Sequence, residues 1–295
     1  MSRKKVLEIK NLTKYYGKNR GVENVSLSLY EGEVFGFIGP NGAGKSTTIR
    51  SVMNLISKTS GSVFVNGEEF CGNETDLKEM IGYLPSEIAL YDDMTVMEML
   101  NYHEKFYKKD IHSRRVELVE ALKLDEQKHI EDLSLGNLKK LGIILAMMHQ
   151  PKIIILDEPT SGLDPIMQNV FYQLLLEEKK KGTTIFYSTH ILSEVSKICD
   201  RVGIIRSGSL IKIEDIEDLS KKNLTYVTIT STQLDSILAD LNQTVLSRKE
   251  NVAKVANKLP HSKLIQILAE YPIDKVLIEE PSLEDLFMHY YMEEK

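Results

Sequence analysis

Nine consecutive residues, Gly39-Pro40-Asn41-Gly42-Ala43-Gly44-Lys45-Ser46-Thr47, constrain this chain more than any others. They match a phosphate-loop pattern, in which glycines let successive backbone N–H groups curl around phosphate oxygens. The flanks fit that pattern. "VFGFI" (34–38) is apolar without alternation, as expected of a strand buried on both faces of a parallel sheet. "TTIRSVMNLI" (47–56) has helical spacing, and a helix starting there aims its positive end at the same phosphates. Lys45 is then expected to reach the β- and γ-phosphates, and the Ser46 hydroxyl to ligate Mg²⁺. A glycine-rich turn without a ligand is the competing reading. The strand-loop-helix context weighs against it.

Around this unit the pattern changes several times. "VENVSLSLY" (22–30) alternates and predicts a half-exposed strand, and "GSVFVNG" (61–67) predicts a short strand closed by an Asn-Gly turn. Residues 87–150 read as a helical insertion. Thr95 and Glu98 form a capping box there, helical spacing runs on to Lys109, and "SRRVELVEALKL" is amphipathic. "KIIILDEP" (152–159) is a deeply apolar strand. A helix over 165–181 follows, ending in three lysines and Gly182, and "TTIFYSTH" (183–190) is the next buried strand. "VGIIRSGSLI" (202–211) predicts a hairpin. Beyond it the spacing predicts strand 225–230, helix 233–241, strands 244–248 and 252–256, helix 261–270, strand 274–279 and a last helix from Ser282. That β-α-β-β-α-β order suggests a small ferredoxin-like domain. The expected division is 1–218 and 219–295, with the helical subdomain at about 87–150.

Composition narrows the partners. Net charge is −6 with both signs mixed, so no basic field draws nucleic acid or anionic lipid. Cys71 and Cys199 are too few for a disulfide framework or a structural zinc site, which points to a reducing compartment. "MSRKKVLEIK" lacks the apolar core of a signal peptide. No segment reaches the ~18 uninterrupted apolar residues of a membrane span. Direct membrane insertion is not expected, and any membrane role would come through a partner.

"IIILDE" (153–158) places Asp157 and Glu158 at the end of a strand that should lie beside the phosphate loop. Asp157 can hold Mg²⁺ through water, and Glu158 is placed to polarise an attacking water. With "LSLGN" (133–137), "SGLDP" (161–165), Tyr16 and His190, the chain over about residues 5–215 resembles an ATP-binding-cassette (ABC) ATPase. The resemblance implies a P-loop cassette of mixed α/β fold, with an antiparallel β part and a helical insertion. It also implies that ATP stacks its adenine on Tyr16 and that His190 contacts the γ-phosphate. Ser161, Gly162 and Asp164 match the D-loop that links two sites of a dimer. "LSLGN" is similar to the signature LSGGQ, which closes over ATP held by a second subunit. Ser134 and Gly136 keep its two γ-phosphate contacts, while Leu135 and Asn137 depart from it.

A second departure lies in "GYLPSEIALY" (82–91). Where the family has a metal-binding glutamine, Ser86 stands, followed by Glu87; either can reach the metal. Ile88–Tyr91 would line a groove for a permease's coupling helix. These departures, with "EEPSLEDLFMHYY" near the C-terminus, are similar to ATPase subunits of bacterial two-component exporters of the bacitracin-resistance kind. The implied partners are a second ATPase subunit, preferably in a homodimer, and integral-membrane permease subunits. The implied location is the cytoplasmic face of the membrane. A P-loop kinase or GTPase would account for the loop but not for Ser134, Glu158, "SGLDP" and His190 in this order. A non-transport ABC ATPase, or a regulatory subunit of reduced turnover, stands as the alternative.

Overall fold

The computed structural model describes residues 3–72, 74–220 and 225–280 of the chain. It divides into two units, Met1–Ile216 and Glu217–Lys295.

The first unit is built on a six-stranded sheet. Its spatial order is Ser209–Asp215, Arg201–Arg206, Val34–Ile38, Thr184–Thr189, Ile153–Asp157, Ile81–Leu84. The five strands from Arg201–Arg206 to Ile81–Leu84 pair in parallel, and only the edge strand Ser209–Asp215 is antiparallel. All residues of Val34–Ile38, Ile153–Asp157 and Thr184–Thr189 are buried, which is why these runs lack alternation. Phe35 and Phe37 pack on Phe186, with ring centroids 6.0 and 5.4 Å apart. Each such fully buried side chain contributes about 1.5–3 kcal/mol relative to exposure.

The register decides what meets at the sheet's carboxyl edge. Ile38 pairs with Thr189, and Asp157 with Ser188. The residues following these strand ends, which start the phosphate loop, supply Glu158 and supply His190, therefore leave the sheet side by side. Ligands of open parallel sheets bind at this edge.

A second, antiparallel sheet of four strands is ordered Asn19–Tyr30, Lys5–Tyr16, Ser60–Val65, Glu68–Glu69. Its apolar face, including Leu7, Ile9, Leu27 and Val63, joins the same core as Phe37 and Ile155. The alternation in 22–30 follows from that one-sided burial.

The insertion contains helices Val96–Glu104, His112–Leu122 and Leu135–Met147. The Thr95–Glu98 capping box forms as its sequence dictates. Its helix stops at Glu104, however, short of the expected Lys109. Phe106 is 59% exposed, so no core holds a further turn, and Tyr107 instead stacks on His149 at 4.5 Å. Asp110 then accepts from His112 N–H at the entry to the next helix. That helix is tied to Pro165–Lys180 by a buried ion pair, Arg114–Glu178 at 2.7 Å. Removing one member would strand a buried charge, at a cost of about 3–5 kcal/mol.

The second unit has strands ordered Thr244–Lys249, Val252–Asn257, Thr225–Thr230, Lys275–Glu279, with every neighbouring pair antiparallel. Helices Leu234–Leu241 and His261–Leu268 bury Leu234, Ile237 and Leu264 with Val227, Ile229 and Val255 in a separate core. The helix expected from Ser282 lies outside the described residues.

Candidate active site

The phosphate loop leaves Ile38 and ends at Gly44, which has φ 108° and precedes the helix Lys45–Val52. Glycine is required there twice over. The angle is one that side chains rarely adopt, and a Cβ would lie 2.6 Å from Val22 Cγ1. The resulting cleft, of about 450 Å³, is lined by Tyr16, Arg20, Gly21, Asn41, Gly42, Gly44, Lys45, Ser46, Thr47 and Glu158. Tyr16 ends its strand 48% exposed, and the Lys14 ammonium sits 5.0 Å from its ring centroid. Arg20 and Gly21 were not singled out by sequence. They sit in the cleft because the turn at Gly17 returns the next strand alongside Tyr16, at the pair Tyr15–Arg20. Gly39, Pro40 and Ala43 form the loop's frame: the Gly39 and Pro40 carbonyls accept from Lys45 Nζ at 2.8 and 3.3 Å. The Ala43 carbonyl accepts from Gly208 N–H.

Lys45, Glu158 and His190 meet. The Lys45 ammonium is 3.3 Å from Glu158 Oε1, and His190 Nδ1 is 2.6 Å from Glu158 Oε2. A carboxylate only accepts, so His190 Nδ1 is the donor. Glu158 itself has φ 52°, in the left-handed region, where a non-glycine residue costs about 1–2 kcal/mol. Its N–H donates to the Ser188 carbonyl, and Pro159 next to it disfavours the right-handed alternative. Backbone strain at this residue is the kind that clusters at functional sites.

Asp157 is fully buried. Its Oδ1 accepts from the Ser188 hydroxyl at 3.1 Å, whereas its Oδ2 is buried without a hydrogen-bond partner. An orphaned carboxylate oxygen at the carboxyl edge of the sheet fits a divalent cation. Among the described residues no three His, Cys, Asp or Glu side chains cluster for a metal. Tyr83, on the adjacent strand, has its phenol pushed up to about 12 by burial and then by the Asp157 charge.

Ser134, Gly136 and Asp164 do not line this cleft. Ser134 caps the helix Leu135–Met147, its hydroxyl accepting from Asn137 N–H at 3.3 Å. A Cβ at Gly136 would lie 2.7 Å from the Gly162 carbonyl oxygen, and one at Gly162 would lie 2.9 Å from Leu135 Cγ. The altered signature and the "SGLDP" turn are thus in direct contact within one chain. Leu135 remains 65% exposed, leaning sideways over Gly162. Asp164 caps the helix Pro165–Lys180 by accepting from Ile166 and Met167 N–H. Ser86 is half-buried, its carbonyl accepting from Lys139 Nζ at 3.0 Å, and Glu87 is exposed. Ile88–Tyr91 is not uniformly exposed: Ile88 and Leu90 are half-buried, Ala89 and Tyr91 are exposed. All four line an apolar groove of about 640 Å³ with Tyr102, His103, Tyr107, Gly142 and His149. Among the described residues no helix is long and apolar enough to cross a membrane.

Known proteins resemble this chain in sequence and fold. A family model for ABC transporters matches residues 22–161, and one for an AAA domain, described as a putative AbiEii toxin of a type IV TA system, matches 129–196. The second stretch overlaps the first and holds the signature helix, Asp157-Glu158 and His190. The bacitracin transport ATP-binding protein BcrA of Bacillus licheniformis is 34% identical over 305 residues, covering 96% of each chain. The linearmycin resistance ATP-binding protein LnrL of Bacillus subtilis is 34% identical over 303 residues, covering 96% of this chain and 97% of that one. The solved structure of an ATP binding subunit of an ABC transporter gives a TM-score of 0.69 at 29% identity, over 73% of this chain and 92% of that one. With near full-length relatives of this kind and the cleft described above, the chain belongs to the ABC transporter family as an ATP-binding subunit, an ATPase.

Proposed function

We propose that this chain hydrolyses ATP to drive export of an amphipathic substrate, an antimicrobial peptide or drug, through a separate membrane permease. The observation that carries the catalytic part is the Glu158 carboxylate, held between the Lys45 ammonium and the His190 ring at the mouth of the phosphate loop. In this reading Tyr16 stacks on adenine, and the loop amides of residues 39–47 with Lys45 hold the phosphates. A water oxygen attacks the γ-phosphorus, its proton passes to Glu158, and the bond to the β-phosphate oxygen breaks to release ADP. His190 orients Glu158 and, from a 45% exposed side chain, reaches the γ-phosphate. Ser46 and Asp157 would hold Mg²⁺, with Ser86 or Glu87 as a further ligand. The cation, when bound, neutralises charge developing on the phosphate oxygens.

The exposed N-terminus of the signature helix supports closure onto ATP in a second copy. Ser134 and Gly136 then face the partner's γ-phosphate, and Asp164 anchors the turn between the two sites. A symmetric homodimer is favoured, because Glu158 and His190 are both present and neither site lacks its catalytic pair. In this reading the groove along Ile88–Tyr91 takes a permease helix, and the subunit works at the cytoplasmic face of a membrane without inserting into it. The names of the bacitracin and linearmycin relatives support the substrate class. Residues 219–295 are read as an accessory ferredoxin-like domain, supported by the strand order and two covering helices of the second unit.

Glu158→Gln tests the core of this proposal. The variant should bind ATP, hydrolyse it about 10²–10⁴ times more slowly, and accumulate as an ATP-bound dimer in light scattering. Turnover near that of the parent would remove Glu158 from its role.

A further inference from the structure

Lys139 and Lys140 are adjacent on the signature helix, yet their surroundings differ. Lys140 is half-buried, whereas Lys139 is 1% exposed. An ammonium persists out of water only where partners replace its hydration. Lys139 Nζ donates to the Ser86 carbonyl at 3.0 Å and to the Glu158 carbonyl at 3.5 Å. The Glu158 carbonyl also accepts from Ser161 N–H at 3.3 Å. Lys139 does not line the nucleotide cleft, and besides these two carbonyls its charge is felt by the Asp157 and Glu158 carboxylates.

Both carbonyls belong to backbone that matters. Glu158 is held at φ 52°, and the direction of its carbonyl sets the peptide plane from which its carboxylate reaches Lys45 and His190. Ser86 precedes the Ile88–Tyr91 wall of the apolar groove, and Gly142, one helical turn beyond Lys139, lines the same groove. We propose that Lys139 is a positioning residue whose buried ammonium clamps the Ser86 and Glu158 carbonyls together. A shift of the loop around Ser86 is thereby transmitted to the carboxylate that activates water. The proposal rests on reading Glu158 as the general base.

The test uses the full chain with Lys139→Met, of similar length but without donors or charge, and Lys139→Gln, which keeps donors without the charge. A misplaced base costs up to about 10²-fold in turnover. For Lys139→Met, kcat should fall about 10- to 100-fold with KM and ATP affinity unchanged, the mark of an effect confined to the transition state. Lys139→Gln should lie between Met and parent. In the Glu158→Gln background, Lys139→Met should cost nothing further, because the group it positions is already inactive. Parent-like kcat in Lys139→Met, an effect carried by KM, or the same fold-loss in the Glu158→Gln background would each overturn the proposal. Where Lys139→Met does not give a cooperative melt, Lys139→Gln decides: reduced kcat at parent KM supports the clamp and parent kcat overturns it. Glu158→Gln alone separates the two readings, since parent-like turnover there defeats the base assignment and not only the clamp.

Discussion

Whether the altered signature still works can be tested through one methyl group. In Gly136→Ala the new Cβ would stand 2.7 Å from the Gly162 carbonyl oxygen, a rigid backbone atom. Carbon–oxygen contacts ordinarily begin near ~3.3 Å, so one of the two backbones must retreat by roughly 0.5 Å. Two energies compete in the folded chain. Alanine gains up to about 1 kcal/mol over glycine in a helix, and overpacking costs about 1–3 kcal/mol. The net loss is about 0–2 kcal/mol, which in a unit of this size lowers Tm by a few degrees, at roughly 2–4 °C per kcal/mol. The chain should therefore stay folded. Catalysis should suffer more, because the retreat displaces Ser134 and residue 136, the groups assigned to the partner's γ-phosphate. With about 10²-fold lost per ångström of misplacement, roughly 10-fold is expected for half of that. The cleft around Lys45 does not include Gly136, so ATP binding to the open monomer should be unchanged. Phosphate release at saturating ATP, an ATP titration and a thermal melt on the same preparation separate these effects. Parent-like phosphate release would mean that the close approach of Gly136 to Gly162 is not part of a working signature, and lost ATP affinity would mean that the two sites are not separate as argued.

Two further outcomes follow from burial. His149 is 2% exposed, and its ring is held at about 4 by burial first and by the nearby His103 second, against an ordinary value of 6.5. A lowered histidine pKa adds nothing where both states are neutral, above about pH 7.5; as pH falls from about 6.5 to 4 the unfolded chain gains a proton that the folded chain refuses. Stability should drop by roughly 3 kcal/mol across that window from this group. In urea unfolding at pH 7.5 and 4.5, His149→Phe should lose less stability than the parent, and equal losses would contradict the burial argument. A chain ended after residue 222 should fold and bind ATP as the parent does, since the two cores share no residues and a linker boundary exposes little apolar surface. Insolubility or lost ATP binding would show that the C-terminal segment completes the first core.

The phosphate loop and the strand and helix around it were legible in the residues alone, because a strand buried on both faces, a glycine turn and a helix start are all local patterns. The Thr95–Glu98 cap and the β-α-β-β-α-β succession after residue 225 were legible for the same reason. Long-range neighbours were not. Lys139 and Lys140 look alike on a helix, and only packing against the loop at Ser86 and the turn at Glu158 buries one with two carbonyl partners and leaves the other partly in water. Arg20 reads as an ordinary surface charge until strand pairing returns it beside Tyr16. Glu158 and His190 stand far apart in sequence, and their 2.6 Å contact exists because parallel strands end in register at one edge of the sheet. Side-chain periodicity reports which face of an element is buried. Which buried charges meet is set by sheet order and register, and these belong to the whole fold.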